Sequence, residues 1–162
     1  MGAVIFDFDG TLADTFELSV GAFDKVSGRG KALTAQEIRS LRGQSTRGVL
    51  KQLGVHWWNI PSLLKVQRQE MESHANEIKP FPAMGPVLHQ LHTDGQRLFI
   101  VSTNTAANIE VFLKNHDMRQ FFDQIYDSVG LFAKAKTLRK IMREQHLAAS
   151  DCFYVGDEVR DM

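Results

Sequence analysis

Residues 4 to 15 read VIFDFDGTLADT, and this run constrains the fold more than any other stretch of the chain. Four of its first five residues are apolar or aromatic, as in a buried strand, yet Asp7 and Asp9 stand at its end. A carboxylate ionised in an apolar interior is strongly disfavoured unless a cation pairs with it, so this strand must open at its end or meet positive charge there. Gly10 permits a sharp turn directly after the pair, and Thr11 offers a hydroxyl to a neighbouring carboxylate or backbone group. Side chains two apart on an extended segment share a face. Both acids can therefore address one small volume above a sheet edge, which suits a divalent metal.

Three segments read as short buried strands: AVIFDF at 3–8, RLFIVS at 97–102 and DCFYVGD at 151–157, with a weaker fourth at QIYDS, 124–128. Between them apolar residues recur at helical spacing, as in Met84, Val87, Leu88 and Leu91, then Ile109, Phe112 and Leu113, then Leu138, Ile141 and Met142. Strands alternating with helices predict an α/β protein with a doubly wound, parallel, Rossmann-like sheet. In such sheets ligands sit beyond the carboxyl ends of the strands, where the unusual residues of this sequence also fall.

From about Thr15 to Pro80 the alternation breaks and the pattern is helical throughout. Phe16, Val20 and Phe23 form one stripe, and Thr46, Val49, Leu50 and Leu53 another. TAQE, Thr34 to Glu37, has the form of a capping box. KPFPAMGP then supplies three prolines and a glycine, the marks of a hinge. The expected organisation is an α/β core domain from residues 1–14 and 81–162, with residues 15–80 as a helical cap over the site. His56, Trp57 and Trp58 are expected to pack within that insertion, with a ligand-facing aromatic patch as the alternative.

The bulk properties narrow the function classes. A chain of 162 residues suits one domain with an insertion. Nineteen basic residues balance nineteen acidic ones, so no overall field draws the chain to nucleic acid or to an acidic membrane, and any anion must be held locally. Cys152 is the single cysteine, which excludes an internal disulfide and agrees with a reducing cytoplasm. No apolar run is long enough to span a bilayer, and a strand beginning at about residue 3 leaves no room for a signal peptide. A cytoplasmic protein is the expectation.

Three further features fall near strand ends. Ser102, Thr103, Asn104 and Thr105 precede a helix, where hydroxyls and free N–H groups make either a phosphate cradle or an ordinary N-cap. GDEVRD carries Asp157 and Asp161 after the last strand, and Lys134, with Lys136 as its rival, opens a helix. Singly these are ordinary surface features. Gathered at one sheet edge they fit phosphoryl transfer: magnesium and one ammonium offset the carboxylates and welcome a phosphate. Asp7 attacks phosphorus, and Asp9 carries the proton to the leaving oxygen and later takes one from water.

In this order, DFDGTLADT, STN, the lysine of LFAKAKTL and GDEVRD resemble the motifs of the haloacid dehalogenase-like hydrolases. They are most similar to phosphoglycolate phosphatase-like members, whose cap lies between the first and second motifs. The resemblance spans essentially the whole chain. It implies Asp7 as nucleophile and magnesium ligand, and Asp9 as acid/base and ligand through its carbonyl. Ser102 is implied as phosphate binder, with Thr103 as its alternative and Asn104 and Thr11 beside it; Lys134 neutralises charge, and Asp157 and Asp161 complete the metal site. The acid at position 9 argues against dehalogenation. The implied activity is magnesium-dependent removal of phosphate from a small phosphorylated metabolite by a monomer or weak homodimer. The alternatives are a phosphomutase of the β-phosphoglucomutase type and a non-catalytic phosphoacceptor module, which would need neither Asp9 nor a cap. The sequence departs from the family pattern at its end: members usually continue past the last acidic motif with a helix and a strand, so an apolar sheet edge is expected to be exposed here.

Overall fold

The computed structural model describes residues 2–27, 33–41, 44, 46–127, 129–130 and 133–157. Four strands, β1 (Ala3–Phe6), β2 (Arg97–Val101), β3 (Gln124–Tyr126) and β4 (Cys152–Val155), form one parallel sheet in the order β3-β2-β1-β4. The helices are α1 (Phe16–Ser27), α2 (Ala35–Leu41), α3 (Thr46–Gln52), α4 (Ile60–Ser73), α5 (Met84–Thr93), α6 (Ala106–Asn115) and α7 (Lys134–Glu144). Parallel neighbours need crossover connections, and the apolar periodicity of the strands shows where the helices must lie. Val4 and Phe6 of β1 and Leu98 and Ile100 of β2 pack on one face with Leu88, Ile109 and Phe112 of α5 and α6. Ala3, Ile5, Phe99 and Val101 pack on the other with Ile141 of α7. The sheet is therefore covered on both faces, the doubly wound α/β arrangement that the alternation predicted.

The strands are shorter than their apolar runs suggest. Beyond Phe6 the last ladder bond runs from Asp7 N–H to the Val155 carbonyl at 2.8 Å, and then the Phe8 carbonyl accepts the N–H groups of Thr11, Leu12 and Ala13 at 3.3, 3.0 and 3.1 Å. That turn lifts the chain off the sheet at the aspartates. Gly10 makes it possible: its φ is +75°, and a Cβ there would lie 2.8 Å from the carboxyl carbon of Asp157. β4 ends at Val155, where the run had been expected to reach Asp157. On this edge strand Phe153 and Val155 are 64% and 39% exposed.

The helical segment after β1 builds its own apolar cluster from Val20, Ala22, Leu41, Val49, Leu50 and Leu63, among others. The capping box forms as its sequence implies: Thr34 N–H donates to Glu37 Oε2 at 2.8 Å, and Glu37 N–H donates to Thr34 Oγ1 at 3.2 Å. α4 stops at Ser73, and Ile78 beyond it packs into the cluster on the sheet. Both connections to the sheet lie side by side. Ala13 bridges Pro80 in antiparallel fashion, Asp14 N–H donates to the Lys79 carbonyl at 2.9 Å, and Phe81 N–H donates to that of Leu12 at 3.2 Å. Among the described residues no helix is long and apolar enough to cross a membrane.

Candidate active site

The register places Phe6 beside both Ile100 and Val155, so β1, β2 and β4 finish at one level. Asp7, Ser102 and Asp157, which lie just beyond the ends of these three strands, emerge at the same edge. β1 is also where the strand order changes direction, with β2 on one side and β4 on the other, the topological switch point where α/β sheets bind ligands.

Asp7 is buried and doubly held. Its Oδ1 accepts the N–H of Phe8 at 2.8 Å, and its Oδ2 accepts a charge-assisted hydrogen bond from Nζ of Lys134, the first residue of α7. The two side chains are 7% and 10% exposed. Burial pushes the Asp7 carboxyl up to about 7; the Lys134 ammonium opposes this, and the nearby Asp9 adds to it. Phe8, between the two acids, is wholly buried and meets Phe112 edge-on, with ring centroids 5.1 Å apart and planes at 88°. An aromatic anchor in the core thus fixes the backbone from which both carboxylates project.

Asp9 is partly exposed as a residue, yet its Oδ1 is buried with no hydrogen-bond partner among the described residues. Burial raises its pKa to about 6, the neighbouring Thr15, Asn104 and Lys134 hold it down, and Asp157 raises it further. Thr11 Oγ1 is likewise buried and unpartnered among the described residues, whereas Thr15 Oγ1 and Asn104 Nδ2 face the Asp9 carboxyl without well-formed hydrogen bonds. Ser102, fully buried, accepts the Asn104 N–H on its Oγ at 2.9 Å. The helix start beyond it is already satisfied: Thr105 Oγ1 caps α6 by accepting from Asn108 N–H at 3.3 Å, and Asp127 Oδ2 accepts from Ala106 N–H at 3.1 Å. The N-cap reading of STNT therefore holds for Thr105, while Ser102 and Asn104 remain at the strand end near the acids.

Asp157 is exposed and lies against Gly10; Asp161 falls outside the described residues. Among the described residues no group of three His, Cys, Asp or Glu side chains is arranged to hold a metal ion. Magnesium does not need such a cage, since it keeps several waters and takes one or two carboxylates with substrate oxygens. The groups present fit it: all are oxygen donors, Asp9 Oδ1 lacks a partner, and burial has raised both acids in a way that a nearby cation offsets.

Sequence reasoning missed three features of this edge. Arg68 of α4 donates from Nε and Nη2 to the Thr103 carbonyl at 3.1 and 2.6 Å. Asn108 donates from Nδ2 both to the Arg68 carbonyl at 3.0 Å and to Asn104 Oδ1 at 2.9 Å, joining α4 to the loop that faces Asp9. A polar residue beside the apolar stripe of α6 was the only signal for Asn108, and a lone arginine on a mixed helix carried none. The third is a correction: Trp57 and Trp58 do not pack within the insertion but are 76% and 58% exposed. They lie on a short 3-10 turn, Trp57–Asn59, outside a cluster that Leu53, Val55 and Leu63 already fill.

The family profile described as haloacid dehalogenase-like hydrolase matches residues 4–162. A phosphoglycolate phosphatase of Synechococcus elongatus is 28% identical over 171 residues, covering 100% of this chain and 77% of the relative. The pyrophosphatase PpaX of Bacillus mycoides is 21% identical, again over 100% of this chain and 77% of its own length. Among solved structures, a haloacid dehalogenase-like hydrolase of Streptococcus pneumoniae superposes with a TM-score of 0.72 at 23% identity, over 99% of this chain and 78% of that one.

Proposed function

Since this chain belongs to the haloacid dehalogenase-like hydrolases, we propose that it is a phosphatase that cleaves a small phosphomonoester through a phosphoryl group carried on Asp7. The observation that carries this reading is the buried pair of Asp7 and Lys134 at the switch point, with Asp9 two residues on.

Asp7 is held by Phe8 N–H and by Lys134, which fix the carboxylate and leave it facing the strand ends. Its oxygen forms a bond to phosphorus as the ester P–O bond breaks. Asp9, whose carboxyl is raised by burial to about 6, delivers a proton to the departing oxygen. Water then attacks the phosphorus of the aspartyl phosphate and Asp9 takes its proton; the bond to Asp7 breaks, releasing phosphate and restoring the carboxylate. Ser102, Asn104 and Thr11, with Thr103 at the same turn, are the groups proposed to bind phosphate oxygens; the buried, unpartnered hydroxyl of Thr11 supports that role. Lys134 offsets the charge that Asp7 and phosphate bring together. Magnesium, when bound, would be held by the side chains of Asp7, Asp157 and Asp161 and by the carbonyl of Asp9, and would polarise the phosphoryl oxygens and neutralise their charge. Residues 15–80 are proposed to serve as the cap, joined to the core through the paired stem at Ala13 and Pro80.

Release of inorganic phosphate from a panel of phosphomonoesters, with and without magnesium, tests the proposal. Magnesium-dependent release that Asp7→Asn abolishes is expected. Release of phosphate by Asp7→Asn at the parent rate would overturn the assignment.

A further inference from the structure

An open cavity of about 870 Å³ adjoins this site, and its wall is mostly apolar: Trp57, Trp58 and Leu64 on the helical side, Gly130 and Ala133 on the sheet side, with Arg68 as the charged residue among the described lining. Large aromatic side chains left open to water are unusual unless something covers them. Trp58 is also fixed in place, because His56 stacks on it at 4.3 Å with planes 7° apart and Trp57 meets it edge-on at 5.8 Å. The pair is thus a preorganised surface.

The cavity is continuous with the chemistry at both walls. Ala133 directly precedes Lys134, whose ammonium binds Asp7. Arg68 binds the carbonyl of Thr103, between Ser102 and Asn104. Both walls of the cavity are thus tied to groups beside Asp7.

We infer that the cavity receives the leaving group of the substrate and that this group is planar and aromatic. The inference rests on the phosphatase reading and adds the substrate class to it. A two-carbon leaving group would fill a small part of this space, about as much as two or three waters, each ~30 Å³ in the liquid. The cavity matches the roughly 300–1,000 Å³ of sites for larger organic ligands. Chemistry selects a ring, because tryptophan faces stack on planar groups.

Two pairs of compounds test this. Benzyl phosphate and cyclohexylmethyl phosphate both leave as alkyl alcohols of similar size, so their difference reports recognition of the planar ring rather than apolar bulk or leaving-group reactivity. The corresponding phosphonates cannot be hydrolysed and report binding alone. We expect benzylphosphonate to bind about tenfold more tightly than cyclohexylmethylphosphonate by calorimetry, as one stacked ring allows. We expect a similar ratio in kcat/KM for the esters, and both ratios should fall toward one in Trp57→Ala and Trp58→Ala. These side chains are exposed, so the variants should fold. Equal binding of the two phosphonates overturns the inference, as does a ratio unchanged in both variants. Equal binding together with a dimer that Trp58→Ala dissociates in sedimentation would mean that the tryptophans serve self-association instead. Should benzylphosphonate bind preferentially while neither ester is hydrolysed, the cavity assignment stands and the phosphatase reading fails.

Discussion

Replacing Lys134 by alanine removes one half of the most buried ion pair described in the molecule and should damage stability and turnover together. Both side chains of the pair are at most 10% exposed. Breaking a buried pair by deleting one partner typically costs about 3–5 kcal/mol, because a charge is left without compensation. At about 2–4 °C per kcal/mol for a chain of this size, the melting temperature should fall by roughly 6–20 °C. Asp7 can limit the loss by taking a proton. Its carboxyl sits at about 7 even with the lysine present, so near pH 6 the parent itself holds Asp7 largely protonated and the pair contributes little. Above pH 7 the parent's Asp7 is ionised and stabilised by Lys134, whereas the variant must strand the charge or bind a proton. The gap between the two melting curves should therefore widen from pH 6 to pH 8, measured by circular dichroism in the presence of a chelator. Adding Asp7→Asn to Lys134→Ala should recover part of the loss. Turnover should fall about a hundredfold or more, as when one electrostatic stabiliser is removed. Lys136→Ala, at an exposed position, should change neither quantity by much. Melting curves of Lys134→Ala that match the parent at pH 8, or equal effects from the two lysines, would refute the reasoning.

Asp9→Asn should slow turnover by about two to four orders of magnitude, read from initial rates across pH. In the absence of metal the same substitution should stabilise the fold: a carboxyl raised from 3.8 to about 6 favours the folded state below pH 4, and that contribution is lost as pH rises through 6. By linkage the variant should gain about 2–3 kcal/mol over the parent between pH 4 and pH 7, visible as a shift of the urea midpoint. Asn108→Ala removes hydrogen bonds to Arg68 and Asn104 and should cost roughly 1–3 kcal/mol, with faster amide exchange in α4. Phe112→Ala should cost about 3–5 kcal/mol and, by freeing Phe8, should also lower turnover under conditions where the protein stays folded.

How much of the fold and the site could be read from the sequence depends on how local each signal is. The strand ending in Asp7 and Asp9, the turn at Gly10 and the capping box at Thr34 are written within a few residues, so pattern and turn chemistry suffice to read them. Lys134 was legible because helix periodicity placed it at the start of α7, and the sheet order then brought it to Asp7. Strand ends were less so. The apolar run continues to Phe8, but the backbone N–H groups after it turn back onto the Phe8 carbonyl and leave the sheet, a competition that hydrophobicity does not register. Arg68 and Asn108 escaped notice because their partners come from segments 35 and 40 residues away. The tryptophans were misread for a related reason. Apolar character argues for burial, yet whether an interior has room depends on Leu53, Val55 and Leu63 having filled it first.

Transient phosphorylation of Asp7 is the step on which the proposed mechanism turns. It can be observed by acid quenching of the protein within milliseconds of mixing with magnesium and a hydrolysed ester, followed by peptide mass spectrometry. The mechanism predicts a hydroxylamine-labile phosphoryl group on the peptide containing Asp7, rising before free phosphate does and absent in Asp7→Asn. Steady release of phosphate with no protein-bound phosphoryl group at any quench time, or with that group on a residue other than Asp7, would contradict it.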